Sequence, residues 1–363
     1  MPETVAATHF HPLRVADVRR ETPDTVSIAF DVPSALRDAF SYAPGQYLTL
    51  RTRLGGEEVR RSYSICAGLD DNELRVAIKR VPQGAFSQHA NTALRAGDTI
   101  DVMPPAGRFG TAIAPGLARV HVAVAAGSGI TPILSIMKTV LTREPASRFI
   151  LFYGSRSTAQ IIFREALEDL KDRFLDRLSV FHVLSREEQD IAVLSGRLDG
   201  EKLRALLPTV VAPPAIDHAF VCGPAGMIDD VSATLQALGV QPARIHVERF
   251  TPAGGAIPAP RPVPVAADAP AFATATVIHD GKATDIPLAE GEAILDAAMR
   301  AGLDLPWSCR GGMCSTCRAK LQEGEVAMDQ NFALEPWETD AGYILTCQSH
   351  PTTKHVTVDY DHV

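Results

Sequence analysis

The sequence predicts a multidomain protein: an antiparallel β-barrel, then a parallel α/β sheet, then a small α+β domain. Three observations predict it. Residues 8–112 carry short runs that alternate apolar and polar, residues 117–250 alternate apolar runs with helical stretches, and a proline-rich stretch separates both from a segment with four clustered cysteines. The chain has 363 residues, and at about 100–200 residues per domain that length suggests two or three domains.

In 8–112 the runs are "TVSIAFDV", "QYLTLRTR", "RRSYSIC" and "LRVAIKRV". Period-two alternation bounded by Gly, Pro and Asp reads as antiparallel strands, here a barrel. In 117–250, "RVHVAVAA", "FILFYGS", "LSVFHVLS" and "HAFVCG" read as buried strands, and "AQIIFREALEDLKDRF" and "AGMIDDVSATLQALG" as helices between them. Strand–helix repetition implies a parallel sheet with helices on both faces. In 251–272, six of 22 residues are proline, the composition of an extended, semi-rigid linker. The last segment, 273–363, opens with strand-like "ATATVIHDG" and a helix "AILDAAMRAG" closed by Gly302. There are no internal repeats.

Composition narrows the class. The chain is 46% hydrophobic and 21% charged, as expected of a protein with real cores. The start "MPETVAATHFHPLRV" lacks a basic region followed by an apolar run, so no signal peptide is expected. The most apolar stretch, 120–137, is interrupted by His121, Ser128, Thr131, Pro132 and two glycines, so no membrane span is expected. The expected compartment is the cytoplasm, where structural disulfides are rare. Residues 273–363 hold 14 Asp/Glu against 6 Lys/Arg and account for the whole net charge of −8. An acidic surface disfavours nucleic acid and suits a basic protein partner, or simply keeps the domain soluble.

Cys309, Cys314, Cys317 and Cys347 have the spacing C-x4-C-x2-C-x29-C. Clustered cysteines serve disulfides, zinc or iron–sulfur clusters. The compartment disfavours the first. Zinc ribbons use two separated short knuckles, whereas three thiols in one loop and one alone is the spacing of plant-type [2Fe–2S] sites. Gly311, Gly312, Ser315 and Thr316 are small, so backbone N–H groups can approach the sulfur atoms. Cys66 and Cys222 stand outside the set and are expected to be buried thiols.

A one-electron centre fed by a two-electron nicotinamide needs a flavin between them. "RRSYS" at 60–64 offers Arg61 for a pyrophosphate, the Tyr63 ring for an isoalloxazine and the Ser64 hydroxyl for its N5; alone, it is also just a strand. "GAFS" at 84–87 opens a helix, either a phosphate seat or a plain cap. "VAVAAGSGITP" at 122–132 is a strand running into Gly127-Ser128-Gly129 and a helix, a G-x-G-x-x-P variant of nucleotide-binding turns. "FVCGPAGMI" at 220–228 ends a second strand in Cys222-Gly223-Pro224.

Taken together, R-x-Y-S at Arg61, Tyr63 and Ser64, the G-x-G-x-x-P loop, the C-G-P turn, an E-x-F ending at Glu248 and Phe250, and the four cysteines resemble a ferredoxin–NADP reductase-type flavoprotein fused to a C-terminal plant-type ferredoxin. The resemblance spans the chain and implies a flavin-binding barrel, a nucleotide-binding α/β domain and a β-grasp-like ferredoxin domain. Within that superfamily, "RRSYSIC", "AAGSGITPILSI", "GRLDGEKL", "CGPAGMIDD", "HVERF", "CRGGMCSTC" and "VAMDQNFALEP" resemble the reductase subunits of phenylacetyl-CoA epoxidases, of aerobic phenylacetate degradation.

By resemblance, Tyr63, Ser64, Cys222 and Glu248 carry the chemistry: Tyr63 stacks on the flavin, Ser64 bonds N5, Cys222 lies beside the nicotinamide and Glu248 tunes the electrostatics. Arg61, Ser62, Ile78, Lys79 and the stretch Gly84, Ala85, Phe86, Ser87 line the flavin, with Phe250 over its other face. Gly127, Ser128, Gly129, Ile130, Thr131, Gly223, Pro224 and Met227 line the nicotinamide nucleotide. Ser185 and Arg186 in "SREEQ", with Arg156, are candidates for the 2′-phosphate that distinguishes NADP; the alternative is a surface arginine beside Glu187 and Glu188. The 84–87 seat favours FAD over FMN. The implied cofactors are FAD, NADP (with NADH possible) and one [2Fe–2S] cluster; the implied partner is the di-iron oxygenase component of an epoxidase. Another oxygenase or the hybrid-cluster protein is an alternative acceptor. A non-catalytic electron carrier or redox sensor is an alternative of another class, but it would have no use for a hydride site.

Overall fold

The computed structural model describes residues 9–250 and 271–362. Most of the expected linker, 251–270, lies outside the described residues. Residues 10–250 form one compact unit, and the described residues from 271 onward belong to a second.

The first unit begins with six strands, β1 (His11–Thr22), β2 (Thr25–Asp31), β3 (Tyr47–Leu54), β4 (Glu57–Ser64), β5 (Leu74–Lys79) and β6 (Thr99–Val102), with helix α1 (Ala85–Thr92) between the last two. They pair antiparallel in the order β4-β3-β6-β1-β2-β5. The chain just past β4 returns to β5 through an Ile65–Val76 bridge, and Cys66 N–H donates to Arg75 O at 2.9 Å. That contact joins the two edges, so the sheet closes as the expected barrel around Leu13, Ile28, Leu48, Leu50, Val76 and Ile78. Strand β2 departs from clean alternation: residues 25–30 are all buried. Its polar face is consumed by a network in which the Ser27 hydroxyl donates to Glu21 at 2.5 Å and accepts from Arg75 at 3.0 Å.

The same unit continues with β7 (Val120–Ala126), α2 (Ile130–Arg143), β8 (Arg148–Ser155), α3 (Arg164–Arg173), β9 (Leu178–Leu184), α4 (Gly200–Val210), β10 (His218–Gly223), α5 (Ala225–Ala237) and β11 (Ile245–Arg249). All five strands are parallel, in the order β11-β10-β7-β8-β9. One apolar cluster takes α2 and α3, the other takes α4 and α5, so helices cover both faces. Helix α3 starts five residues later than the run "AQIIFREALEDLKDRF" suggests. Ile161, Ile162 and Phe163 are buried in the core, Phe163 caps the helix at φ 61, and Ile162 N–H donates to the Tyr153 hydroxyl at 3.3 Å. A left-handed residue cannot continue a right-handed helix, so α3 begins only after Phe163. The two halves of the unit are joined by hydrogen bonds: the Ser135 hydroxyl donates to Ala67 O at 2.6 Å, and Leu69 N–H donates to Thr139 Oγ1 at 3.2 Å.

The second unit contains β12 (Ala273–His279), β13 (Lys282–Leu288), α6 (Ile294–Arg300), β14 (Arg318–Glu323), β15 (Val326–Met328), α7 (Pro336–Asp340), β16 (Tyr343–Leu345), β17 (Ser349–Pro351) and β18 (His355–Asp359). Its main sheet runs β13-β12-β18-β14-β16, with β12 and β18 parallel and the other pairs antiparallel; β15 and β17 form a separate ribbon. Ile294, Leu295, Ala297 and Ala298 of α6 pack on Ala275, Val277, Val356 and Val358. A mixed sheet holding one helix is the expected β-grasp-like arrangement.

Candidate functional site

Strand order reverses beside β7: the chain moves outward through β8 and β9, then crosses back to β10 and β11. The crevice at the carboxyl ends of such a pair is where open α/β sheets bind ligands. Gly127-Ser128-Gly129 follows β7 and Cys222-Gly223-Pro224 ends β10, so the two nucleotide motifs flank that crevice. Gly127 adopts φ +56, a left-handed conformation that strains other residues. A Cβ on Gly129 would stand 2.1 Å from the Cys222 carbonyl oxygen, and one on Gly223 would stand 2.5 Å from Met227 Cε. Gly129 and Gly223 therefore let the turn pack closely on β10 and Met227, and Gly127, where a Cβ would meet only Lys79 Nζ at 3.9 Å, leaves the start of α2 open, which fits a dinucleotide pyrophosphate there. The Thr131 hydroxyl closes the turn on Ser128 O at 2.9 Å, and Ile130 and Thr131 are themselves buried.

Tyr153 was not marked by any motif. Its hydroxyl donates to Gly127 O at 2.9 Å and accepts from Ile162 N–H, so it fixes the glycine turn from the neighbouring strand. Only the placement of a buried Tyr near the end of the β8 run hints at it, because a buried phenol needs a partner.

Strand β4 reaches the same end of the unit. Cross-strand pairing puts Arg61 and Tyr63 on the face that carries Leu50 and Leu48, and Ser62 and Ser64 on the face with Thr49 and Tyr47. The Tyr63 ring lies 5.6 Å from that of Phe86, at 39°. The Ser64 hydroxyl donates to Glu248 Oε2 at 3.2 Å, and Glu248 lies beside Cys222 in the β10–β11 register. Three residues far apart in sequence thus meet at the mouth of the crevice. Burial of the carboxyl group pushes the Glu248 pKa up to about 8, against the opposing pull of the Ser64 hydrogen bond. Burial, then the neighbouring Glu248 charge, pushes the Cys222 thiol well above its ordinary range. The Lys79 Nζ atom comes within 3.9 Å of where a Gly127 Cβ would be. Phe250, 37% exposed, follows directly on β11.

Other expected flavin residues sit differently. Ile78 and Phe86 are buried in the barrel core, so their side chains do not face a ligand. Ser87 serves its own turn: its hydroxyl donates to Gly84 O at 3.0 Å and accepts from Val81 N–H at 3.2 Å. That hydroxyl is engaged in its own turn without capping α1, and what remains for a phosphate is the set of first-turn N–H groups of α1.

Arg156 and Arg186 follow the adjacent strands β8 and β9, and Arg186 N–H donates to Arg156 O at 2.7 Å. Both are exposed. Among the described residues no carboxylate pairs with either. Glu187 is instead occupied by Thr158, whose N–H and hydroxyl donate to it at 2.8 and 2.6 Å. Two unpaired guanidinium groups on neighbouring strand ends suit a phosphate better than a ribose hydroxyl.

In the second unit, Cys309, Cys314 and Cys317 lie in the loop between α6 and β14, and Cys347 follows β16. Gly311 and Met313 N–H groups donate to Cys309 Sγ at 3.3 Å, and Cys309 N–H donates to Cys314 Sγ at 3.4 Å. The loop curls through left-handed residues Arg310, Gly312 and Ser315. At Gly312 a Cβ would stand 2.7 Å from Gln330 O. The thiols associate as two pairs, Cys309 with Cys314 and Cys317 with Cys347. In each pair one pKa falls and its partner's rises through the hydrogen bond between them. Two thiol pairs ringed by backbone donors fit a two-iron cluster with two thiolates per iron. Thr346 supports Cys317: its N–H and hydroxyl donate to Cys317 O at 3.2 and 3.0 Å.

Comparison with known proteins agrees with this division. Residues 12–110 match the oxidoreductase FAD-binding domain family, 123–233 the oxidoreductase NAD-binding domain and 277–352 the 2Fe-2S iron-sulfur cluster binding domain. The chain is 46% identical over 355 residues to a subunit of the 1,2-phenylacetyl-CoA epoxidase of Escherichia coli (strain K12), covering 98% of each chain. It is 36% identical to the ferredoxin reductase component of the 3-ketosteroid-9-alpha-monooxygenase of Rhodococcus rhodochrous, covering 96% of each. Among solved structures it resembles phthalate dioxygenase reductase, described as a modular structure for electron transfer from pyridine nucleotides to [2Fe-2S], with a TM-score of 0.58 and 22% identity over 96% of this chain and 98% of that one. The chain belongs to the family that includes this 1,2-phenylacetyl-CoA epoxidase component: oxidoreductases that join FAD-binding, NAD-binding and 2Fe-2S cluster binding domains in one polypeptide.

Proposed function

We propose that this chain takes hydride from NADPH and delivers the electrons one at a time to the oxygenase of a phenylacetyl-CoA epoxidase in the cytoplasm. The observation that carries the hydride half is the convergence of Ser64, Glu248, Cys222 and the Gly127–Gly129 turn at one crevice. The 46% identity to the epoxidase component carries the choice of acceptor. When bound, FAD would accept an electron pair, and a [2Fe–2S] cluster held by Cys309, Cys314, Cys317 and Cys347 would pass single electrons.

In this reading 8–112 holds the flavin, 117–250 the nucleotide and 273–363 the cluster, with 251–272 as linker. Tyr63 and Phe250 cover the two flavin faces. Ser64 reaches N5, with Glu248 behind it holding the hydroxyl in place. Lys79, Arg61 and the first-turn N–H groups of α1 take the phosphates. Cys222 borders the nicotinamide, and Arg156, Ser185 and Arg186 take the 2′-phosphate. The acceptor is a di-iron oxygenase component; among the described residues no helix is long and apolar enough to cross a membrane. The 36% identity to a steroid monooxygenase reductase favours one second reading, the same electron path to another oxygenase.

The test is reconstitution. The purified chain should show flavin and iron–sulfur absorption and should support NADPH-dependent epoxidation of phenylacetyl-CoA when mixed with the epoxidase oxygenase. NADPH oxidation coupled only to a different oxygenase would move the chain to the second reading. A colourless protein that binds zinc would reject both.

A further inference from the structure

We propose that Gln348 is a positioning residue for the cluster site: its side-chain amide donates to the sulfur of Cys347 and sets how readily the site accepts an electron. The inference rests on the cluster reading above. Gln348 is 7% exposed. Its Nε2 lies 3.7 Å from Cys347 Sγ, 2.8 Å from Arg310 O and 2.9 Å from Cys347 O. All three neighbours are acceptors, so the amide nitrogen rather than its oxygen faces them, with two N–H groups for three acceptors and the sulfur sharing one with a carbonyl oxygen. The backbone of Gln348 is held as well, since its N–H donates to Leu345 O at 2.8 Å and its carbonyl accepts from Asp329 N–H at 3.0 Å.

The partner carbonyl is equally fixed. Arg310 sits in the left-handed region at φ +54, its guanidinium pairs with Asp296 at 3.0 Å and it lies over the Trp307 ring at 4.7 Å. One amide therefore clasps the solitary fourth cysteine to the loop that carries the other three. The donors to Cys309 are backbone N–H groups and survive any side-chain change. The donor from Gln348 is a side chain and can be removed. N–H donors to a cluster sulfur spread its negative charge and favour the reduced state, which carries one more electron.

The experiment is a redox titration of the full chain, followed by the electron paramagnetic resonance signal of the reduced cluster. Gln348→Leu keeps the bulk and removes the donor; Gln348→Glu removes the donor and adds charge. Gln348→Leu should make reduction about tenfold less favourable, a shift of about 59 mV to more negative potential for a one-electron couple. Gln348→Glu should shift it further the same way. Unchanged potentials in both variants, with the cluster fully loaded, would overturn the proposal. If neither variant retains the cluster, the unmodified chain with 15N-labelled glutamine decides. A 15N hyperfine coupling to the reduced cluster supports the amide–sulfur bond, and its absence overturns it. An unmodified chain with no [2Fe–2S] spectrum would defeat the functional reading instead, which is a separate outcome.

Discussion

Replacing Glu248 with Gln isolates the cost of holding a carboxyl group in the crevice of the first unit. Glutamine keeps the shape and still accepts the hydrogen bond that Ser64 donates at 3.2 Å, but it cannot ionise. Burial raises the Glu248 pKa from its ordinary 4.5 to about 8. Between those two values the folded chain keeps a proton that the unfolded chain has released, so folding stability falls as pH rises. At about 1.4 kcal/mol per pH unit, the full loss is on the order of 5 kcal/mol, complete above pH 8. Glu248→Gln should therefore match the unmodified chain near pH 4.5 and exceed it progressively up to pH 8.

Another set of groups works in the opposite direction. His121, His218 and His246 stack at the amino ends of β7, β10 and β11, and burial holds the pKa of each down to about 4. These depressed histidines withdraw stability as pH falls from 6.5 towards 4, because the unfolded chain then binds protons that the folded chain refuses. They are common to both proteins and cancel in the difference. The assay is urea unfolding of the flavin-free chain at pH 5, 6, 7 and 8. Both tryptophans, Trp307 and Trp337, lie in the cysteine-bearing unit. Tryptophan fluorescence therefore gives an internal control, while far-UV circular dichroism at the helix band is dominated by α1–α5 of the unit that carries residue 248. A stability difference that stays constant across this range would refute the reasoning.

Gly129→Ala puts a methyl group 2.1 Å from the Cys222 carbonyl and should destabilise the first unit by about 1–3 kcal/mol, seen as a lower melting temperature and weaker nucleotide binding. Cys314→Ser should abolish the iron–sulfur spectrum and delivery to the oxygenase while NADPH-driven reduction of a two-electron dye survives. Arg186→Ala removes a charge-assisted phosphate contact and should raise the NADPH KM roughly 10- to 150-fold while leaving the NADH KM nearly unchanged; an unaltered NADPH/NADH ratio would make Arg186 an ordinary surface residue. Raising ionic strength to physiological levels should slow electron delivery to the oxygenase, because exposed charges are screened beyond about 8–10 Å. A flat salt response would show that the acidic 273–363 surface does not guide docking.

The barrel, the parallel sheet and the four thiols were legible because each rests on a local rule: period two, strand–helix alternation and C-x4-C-x2-C spacing. The Gly127–Gly129 turn could be read for the same reason. The Ser64–Glu248 contact joins residues 184 positions apart, and only the closing of the barrel against the last strand of the sheet creates it. Side-chain direction was equally hidden: nothing in "GAFS" shows that Phe86 turns into the barrel core or that the Ser87 hydroxyl is used by its own turn. Helix α3 begins late because the left-handed Phe163 interrupts the helical pattern. Tyr153 acts through hydrogen bonds with Gly127 and Ile162, and Gln348 through its amide to Arg310 and Cys347, none of which leaves a periodic trace.

The six cysteines show how one side chain is assigned opposite chemistries by its backbone surroundings. Cys66 and Cys222 are buried on strands or beside them, where N–H groups are already committed to the sheet. Burial then dominates and both thiols are pushed far up, so they remain neutral. A neutral thiol at the crevice is compatible with hydride chemistry because it neither competes as a nucleophile nor adds charge beside Glu248. Cys309 lies in a loop whose left-handed residues release N–H groups from any sheet or helix, and those groups turn onto its sulfur. Its thiol is pulled down by Cys314 and by these donors, in spite of burial, and Cys347 is pulled down by Cys317 with help from Gly312 and Gln348. In each pair one thiol is lowered and its partner raised, and since a metal takes cysteine as thiolate, metal loading should release protons. Burial among committed N–H groups thus protects a thiol, whereas backbone donors help pull Cys309 down while Cys314 in the same loop is pushed up by its bond to Cys309. The same local difference separates Cys222 at the crevice of the first unit from Cys309 in the cysteine loop of the second.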